Sequence, residues 1–261
     1  MKPWQSGHNV LITGATKGIG YQLSLCFAEH HYNLVLVARQ TEQLETLKKE
    51  LEKQYPIQVK TLMVDLSVPI FVKNVFPSLQ QEGISIEILV NNAGFGLHGP
   101  FTQTDLDQEL EMINVNEIAP IILSKFFVKQ LPPGRKGRIL NVASTAAFIP
   151  GPYMSVYYAS KAQLWSFSQA LAYELAEKEI TVTTLCPGPT LTEFQQRAGL
   201  HGVRLVKTPM MDAATVARLG FKGLMKGKST VIPGFLNKLS VLIMKFVPAR
   251  WLVPFIKYIH R

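Results

Sequence analysis

The sequence predicts a doubly wound α/β fold, a parallel sheet with helices on both faces, built as a single domain. Three observations carry that expectation. Short, nearly uninterrupted apolar runs recur along the chain, as strands buried on two faces must. Longer polar stretches with helical periodicity separate them. The first apolar run opens onto a glycine-rich turn, Thr13-Gly14-Ala15-Thr16-Lys17-Gly18-Ile19-Gly20.

Asn9 to Thr13 reads as a strand, and Tyr21 to His31 as the helix after the turn. Leu34 to Ala38 is a second strand and Glu42 to Tyr55 a polar amphipathic helix, so the unit repeats. Val59 to Val64 leads into Asp65-Leu66-Ser67, which reads as a helix-capping sequence. Ile86 to Val90 is a fourth strand, ending at Asn91-Asn92-Ala93-Gly94. Long helices are expected over Leu106 to Gln130 and Tyr157 to Lys178, with strands at Arg138 to Val142 and Thr181 to Leu185. Past Pro187-Gly188 the pattern is broken by Gly199, Gly202 and Pro209, before a helix over Ala213 to Met225 and a short strand over Ser229 to Ile232. The expected layout is a core over residues 1–234, with a lid over about 188–212, and a basic extension over 235–261. Ligands of open α/β sheets bind beyond the carboxyl ends of the strands, where such a lid would close on them.

With 261 residues, 47% hydrophobic and 17% charged, the chain can bury a sizeable core, which excludes a disordered chain. Cys26 and Cys186 lie in apolar segments without metal-ligand spacing, so both are expected as core thiols in a reducing, cytoplasmic setting. His8, His30, His31, His98, His201 and His260 are scattered, no metal site is expected, and surface or lid roles are assigned to them. Met1 to Asn9 does not read as a signal peptide, and no apolar stretch is long enough to suggest a spanning helix. Ala213 to Arg261 holds nine Lys/Arg and no acid, so the whole excess of +9 is C-terminal.

Gly14, Gly18 and Gly20 are spaced G-x3-G-x-G rather than G-x-G-x-x-G, with the same mechanics. Glycines allow a tight turn and close backbone approach, and a helix N-terminus offers free N–H groups to a pyrophosphate. An ordinary βα turn is the competing reading. No Gly-Lys-Ser/Thr follows, so a P-loop is excluded. At the end of the second strand, where a free ribose 2′-hydroxyl would want an acid, stands Arg39. Arg39 with Lys17 suits a 2′-phosphate, one by its planar fork and the other as a point charge. Solvated surface cations are the rival reading.

Tyr157 and Lys161 are spaced i, i+4, so a helix would set an ammonium beside a phenol, with Ser144 thirteen positions upstream. A cation lowers a phenol's pKa from about 10, which would make a tuned acid/base. Tyr158, at i, i+3 from Lys161, could also lie near the ammonium, so spacing alone does not choose between the tyrosines. No G-x-S-x-G places Ser144 in a hydrolase context.

These residues, with Asp65, Asn91-Asn92-Ala93-Gly94, Asn116, Tyr157-Tyr158-Ala159-Ser160-Lys161 and Pro187-Gly188 followed by Thr192, resemble the short-chain dehydrogenase/reductase family in its single-domain, Rossmann-type form. The resemblance runs from about Asn9 to Gly234. It implies Tyr157 as the acid/base, Lys161 as its partner and holder of the nicotinamide ribose, Ser144 on the substrate oxygen, and Asn116 fixing a relay water. It implies cofactor binding by Gly14, Thr16, Lys17, Gly18, Ile19, Gly20, Arg39, Asp65, Asn92, Pro187, Gly188 and Thr192, with hydride passing between the nicotinamide and a carbonyl carbon. It selects Tyr157 over Tyr158 and implies a homodimer or homotetramer.

The expected activity is therefore the NADP(H)-dependent, reversible reduction of a ketone or aldehyde. The expected pocket positions Phe95, Phe148, Ile149, Pro150, Phe194 and Leu200 favour an apolar substrate. A 3-ketoacyl thioester reductase and a nucleotide-binding regulator without turnover are the alternatives; the regulator would depart at Ser144, Tyr157 or Lys161, and none departs. The tail from Phe235 has two readings, peripheral contact with anionic lipid or packing over the cleft or a second subunit, the second favoured because basic helices have many uses. Nucleic acid is not an expected partner, since the tail is more apolar than phosphate binding needs.

Overall fold

The computed structural model describes Trp4 and residues 8–200, 202–204, 210–244 and 246–260. Six parallel strands, β1 (Asn9–Thr13), β2 (Asn33–Ala38), β3 (Val59–Met63), β4 (Ile88–Asn91), β5 (Gly137–Val142) and β6 (Ile180–Leu185), alternate with helices. The helices are α1 (Gly18–Glu29), α2 (Thr41–Gln54), α3 (Pro69–Gln81), α4 (Leu106–Ile113), α5 (Ala119–Gln130) and α6 (Ser155–Glu174). After β6 come β7 (Thr190–Leu191), α7 (Phe194–Arg197), β8 (Met211–Asp212), α8 (Ala213–Met225), β9 (Thr230–Val231), α9 (Phe235–Met244) and α10 (Ala249–Ile259).

The main sheet has the order β3-β2-β1-β4-β5-β6-β9, parallel throughout, with Val10 level with both Leu34 and Ile88. The order reverses between β1 and β4, the switch point at which open α/β sheets bind their ligands. The doubly wound, Rossmann-type fold expected from the sequence is the fold observed.

Strand periodicity divides the core in two. Val10, Ile12, Leu34, Leu36, Ile88 and Val90 face α1, α2 and α8 through Leu23, Phe27, Leu44, Leu51, Val216 and Leu224. Leu11, Val35, Val37, Leu89 and Ile139 face α3 and α5 through Val72, Phe76, Leu79, Leu123 and Phe127. Each such fully buried aliphatic or aromatic side chain contributes about 1.5–3 kcal/mol relative to exposure. Between the central strands runs a polar cross-link that pattern reading passes over. Asn91 Nδ2 donates to Asn141 Oδ1 (2.8 Å), and Asn141 Nδ2 donates to Ser168 Oγ on α6 (2.8 Å).

Two expectations are corrected. Asp65-Leu66-Ser67 does not cap α3: Asp65 Oδ1 accepts from Ser67 N (3.0 Å) and Ser67 Oγ (2.7 Å) in a local turn, and the N-cap residue is Val68. The helix expected over Leu106 to Gln130 is interrupted at Asn114–Ile118 by a π-turn. Helical periodicity is too coarse to register one extra residue.

The segment after Pro187-Gly188 is bracketed by β7 and β8, which pair with each other through Thr190 with Met211 and Leu191 with Asp212. Pro209 and His201, to which the sequence assigned a break and a lid role, lie outside the described residues, as do Lys245 and Arg261 of the basic tail.

Candidate active site

The glycine turn is shaped by contacts that exclude side chains. Gly14 (φ 62°) and Gly18 (φ 54°) occupy left-handed backbone that other residues rarely adopt. A Cβ on Gly20 would strike the Gly14 carbonyl and the Asn92 amide, so α1 approaches β1 closely. Asn92 holds that approach by donating from Nδ2 to the carbonyls of Thr13 (2.9 Å) and Gly14 (3.1 Å). Thr13 Oγ1 in turn accepts from the N–H groups of Asn92 (2.9 Å) and Ala93 (3.0 Å). Asn92 is thus the tie between β4 and the turn. No side chain caps α1 at Lys17, so its first-turn N–H groups face outward without an intrahelical partner. That cradle fits a pyrophosphate and the positive end of the helix dipole favours it.

Beside the turn opens a cavity of about 710 Å³ walled by Gly18, Tyr21, Gln22, Thr192 and Leu200. It lies between the start of α1 and the segment around β7 and α7, and Tyr157 is not among its walls. Thr192 reaches the turn directly, its Cγ2 lying 3.1 Å from where a Gly18 Cβ would stand. Pro187 accepts at its carbonyl from Thr145 N (2.9 Å), and Gly188 lies against the Asn237 side chain.

The two cations assigned to a 2′-phosphate have separate partners. Lys17 Nζ lies 2.7 Å from Glu193 Oε2, and Arg39 Nη1 lies 3.1 Å from Glu111 Oε1. Spacing could not reveal these carboxylates, 176 and 72 residues away. Both pairs are open to solvent, and such pairs contribute only about 0–1 kcal/mol, so a phosphate could displace either carboxylate.

Ser144, Tyr157, Lys161 and Asn116 come together at the carboxyl ends of β4 and β5. Ser144 lies beside the Tyr157 phenol, where it opposes the rise in that group's pKa, while its Oγ accepts from Ala146 N (3.1 Å) and donates to the Pro187 carbonyl (3.4 Å). Gly94 explains the close packing: a Cβ there would sit 3.0 Å from Asn116 Oδ1 and 3.1 Å from Lys161 Nζ. Asn116, fully buried in the π-turn, accepts at Oδ1 from Phe95 N (3.1 Å) and donates from Nδ2 to the Phe95 carbonyl (3.0 Å) and Ser160 Oγ (3.0 Å).

The electrostatics differ from the sequence expectation. Burial pushes the Tyr157 phenol up to about 12, with the neighbouring Ser144 pulling the other way. Burial pulls the Lys161 ammonium down to about 8, opposed by the neighbouring Cys186. Lys161 Nζ donates to the Val142 carbonyl (3.1 Å) and lies 5.8 Å from the centre of the Tyr157 ring. A lysine-lowered phenol is therefore not what this site presents, because desolvation favours the neutral form of both groups.

An apolar enclosure surrounds Tyr157. Met112, Met154, Ala198, Leu200 and Val203 pack there, with Phe95, Ile149 and Phe194 at the edge. The Phe194 and Tyr157 rings are 5.3 Å apart. Two expected pocket residues lie elsewhere: Phe148 packs edge-on to Trp165 at 5.3 Å in a separate cluster, and Pro150 is exposed. Sequence reasoning missed Met112 and Met154, and also His260, which is buried rather than on the surface. Tyr158, the rival phenol, points away to His260 Nε2 at 2.7 Å.

The chain matches the short chain dehydrogenase family over residues 8–201. It is 36% identical over 188 residues to 17-beta-hydroxysteroid dehydrogenase type 3 of Mus musculus, covering 69% of this chain and 59% of the mouse protein. Very-long-chain 3-oxoacyl-CoA reductase-A of Danio rerio is 30% identical over 222 residues, covering 81% of this chain and 64% of that one. The chain thus spans roughly three-fifths of the length of these curated relatives. Among solved structures, a short-chain dehydrogenase from Sphingobium yanoikuyae in complex with NADPH superposes with a TM-score of 0.81 at 30% identity, over 92% of this chain and 96% of that one.

Proposed function

The chain belongs to the short-chain dehydrogenase family of oxidoreductases, and from that premise we propose that it reduces a ketone or aldehyde of an apolar substrate, reversibly, with NADP(H). The observation that carries this reading is the buried Tyr157 phenol beside Ser144 inside an apolar enclosure, with Lys161 and Asn116 against Gly94.

A nicotinamide cofactor, once bound, supplies or accepts the hydride. The protein's residues do the rest. The turn from Gly14 to Gly20 with Thr16 and Ile19 holds the pyrophosphate; Asp65 meets the adenine, and Pro187, Gly188 and Thr192 flank the nicotinamide. Tyr157, kept neutral by burial, donates its proton to the carbonyl oxygen in reduction and recovers it in oxidation. Ser144 hydrogen-bonds that oxygen, and Lys161 holds the ribose hydroxyls. Asn116 is a positioning residue whose Oδ1 keeps a second lone pair for a relay water. Arg39, with no acid at the end of β2, supports the phosphorylated cofactor, as does the NADPH complex of the Sphingobium relative.

The hydroxysteroid and very-long-chain acyl relatives, with the apolar walls around Tyr157, support a bulky apolar substrate, either a steroid-like ketone or a long-chain 3-oxoacyl thioester. Exposed Leu106, Leu110 and Tyr173 on α4 and α6 support a homodimer or homotetramer. A panel of steroid ketones, 3-oxoacyl thioesters and aromatic ketones, followed by loss of NADPH absorbance, tests the activity. Turnover of at least one bulky apolar ketone is expected, and no turnover with either nicotinamide cofactor would reject the reading.

A further inference from the structure

Nine of the eighteen exposed large apolar side chains among the described residues fall between Phe235 and Tyr258, about a tenth of the chain. They are ordered, not scattered. On α9, Phe235, Leu239 and Leu242 stand at i, i+4 and i+7; on α10, Trp251, Phe255 and Tyr258 repeat the same spacing. Each helix therefore shows an apolar stripe to solvent. The opposite side is fixed: Val241 and Ile256 are buried, and buried His260, just past α10, bonds to Tyr158. Such an exposed stripe marks an interaction surface.

Charge identifies what meets it. Lys238, Arg250 and Lys257 are exposed beside the stripes, none pairs with a carboxylate among the described residues, and the chain from Ala213 onward contains no acid. A second copy docking through the same face would bring these cations together. An anionic lipid surface accepts both features at once, apolar stripe in the acyl boundary and cations among the headgroups, with Trp251 and Tyr258 suited to that boundary. No helix among the described residues is long and apolar enough to cross a membrane, which leaves the interfacial geometry. We propose that α9 and α10 dock this protein onto the surface of an anionic phospholipid bilayer, lying in the headgroup plane.

The test is co-sedimentation of the full chain with vesicles of phosphatidylcholine alone or containing phosphatidylserine, at low and high salt, alongside tryptophan emission. Binding to the phosphatidylserine vesicles, weakened by salt, is expected, with a blue shift that Trp251→Phe abolishes. Each cation near anionic lipid contributes about fivefold in affinity, so Lys238→Gln/Arg250→Gln/Lys257→Gln should weaken binding on the order of a hundredfold. Leu239→Ser/Leu242→Ser/Phe255→Ser, all at exposed sites, should lose binding while melting like the wild type. Absence of binding to phosphatidylserine vesicles, or equal binding by the serine variant, overturns the proposal. So does a serine variant whose only change is a smaller mass by light scattering, which would make the face a contact between copies. Neither readout needs cofactor or substrate, so the outcome is independent of the activity proposed above.

Discussion

The Tyr158 hydroxyl and His260 Nε2 meet at 2.7 Å across 102 residues of sequence. His98 closes the contact from the other side, its Nε2 lying 2.9 Å from the His260 carbonyl, which as an acceptor fixes the proton on that nitrogen. Burial, with His98 beside it, pulls the His260 ring down to about 4 from 6.5. The fold therefore favours the neutral ring, and the stability this gives is present above pH 6.5 and lost as pH falls through about 4. Amide exchange in α10 should accelerate on acidification over that window while exchange in β1 and β4 stays slow. A pH-independent α10, or one that loosens only with the core, would refute the latch.

Tyr157→Phe should lose turnover by about a hundredfold to ten-thousandfold, the usual contribution of a positioned acid/base, while cofactor titration by fluorescence stays close to wild type. Tyr158→Phe keeps the ring and removes only the bond to His260. It should retain most of its turnover; the reverse pattern would transfer the role to Tyr158.

Lys161 links activity and stability through one pKa. Its folded value of about 8 lies below the ordinary 10.5, so the fold disfavours the charged ammonium. Stability should rise as pH goes from about 8 to 10.5, and Lys161→Met should melt higher than wild type near neutrality while losing turnover. If the protonated lysine is the active form, kcat/KM for reduction falls above pH 8. A lower Tm for Lys161→Met would show that the hydrogen bond to Val142 outweighs the desolvation.

Arg39→Asp should narrow or reverse a preference for NADPH over NADH. A charge-assisted contact to phosphate contributes about 1.5–3 kcal/mol, roughly ten- to a hundredfold in the ratio of dissociation constants. Glu111→Gln, which frees Arg39 of its ion pair, should shift the ratio the other way. Tighter binding of NADH by the wild type would remove the cofactor assignment.

The doubly wound parallel fold and the pair of Tyr157 and Lys161 were legible because each depends on local signals: strand periodicity, glycine spacing and an i, i+4 pair on one helix face. Asn116 and the role of Ser144 came instead from the family resemblance. Contacts made by long-range packing were not legible. Nothing near Lys17 announces Glu193, nothing near Tyr158 announces His260, and Phe148 looks like a pocket residue until Trp165 claims it. The direction of the Tyr157 shift was hidden for a related reason: spacing locates a cation, whereas burial is a property of the assembled site.

The π-turn at Asn114–Ile118 carries a surplus residue relative to α-helical register, and Asn116 sits inside it. Deleting one residue there would let α4 and α5 merge into one regular helix, turning its two halves by about 100° relative to each other. Asn116 would swing away from Phe95 and Ser160, and Gly94 would lose the neighbour it makes room for. The same rotation would turn Leu123 and Phe127 of α5 away from the core they fill, so a shortened chain of that kind would lose stability as well as the site. The surplus residue thus sets the register in which one helical run serves the core through Leu123 and Phe127 and turns Asn116 toward Phe95 and Ser160.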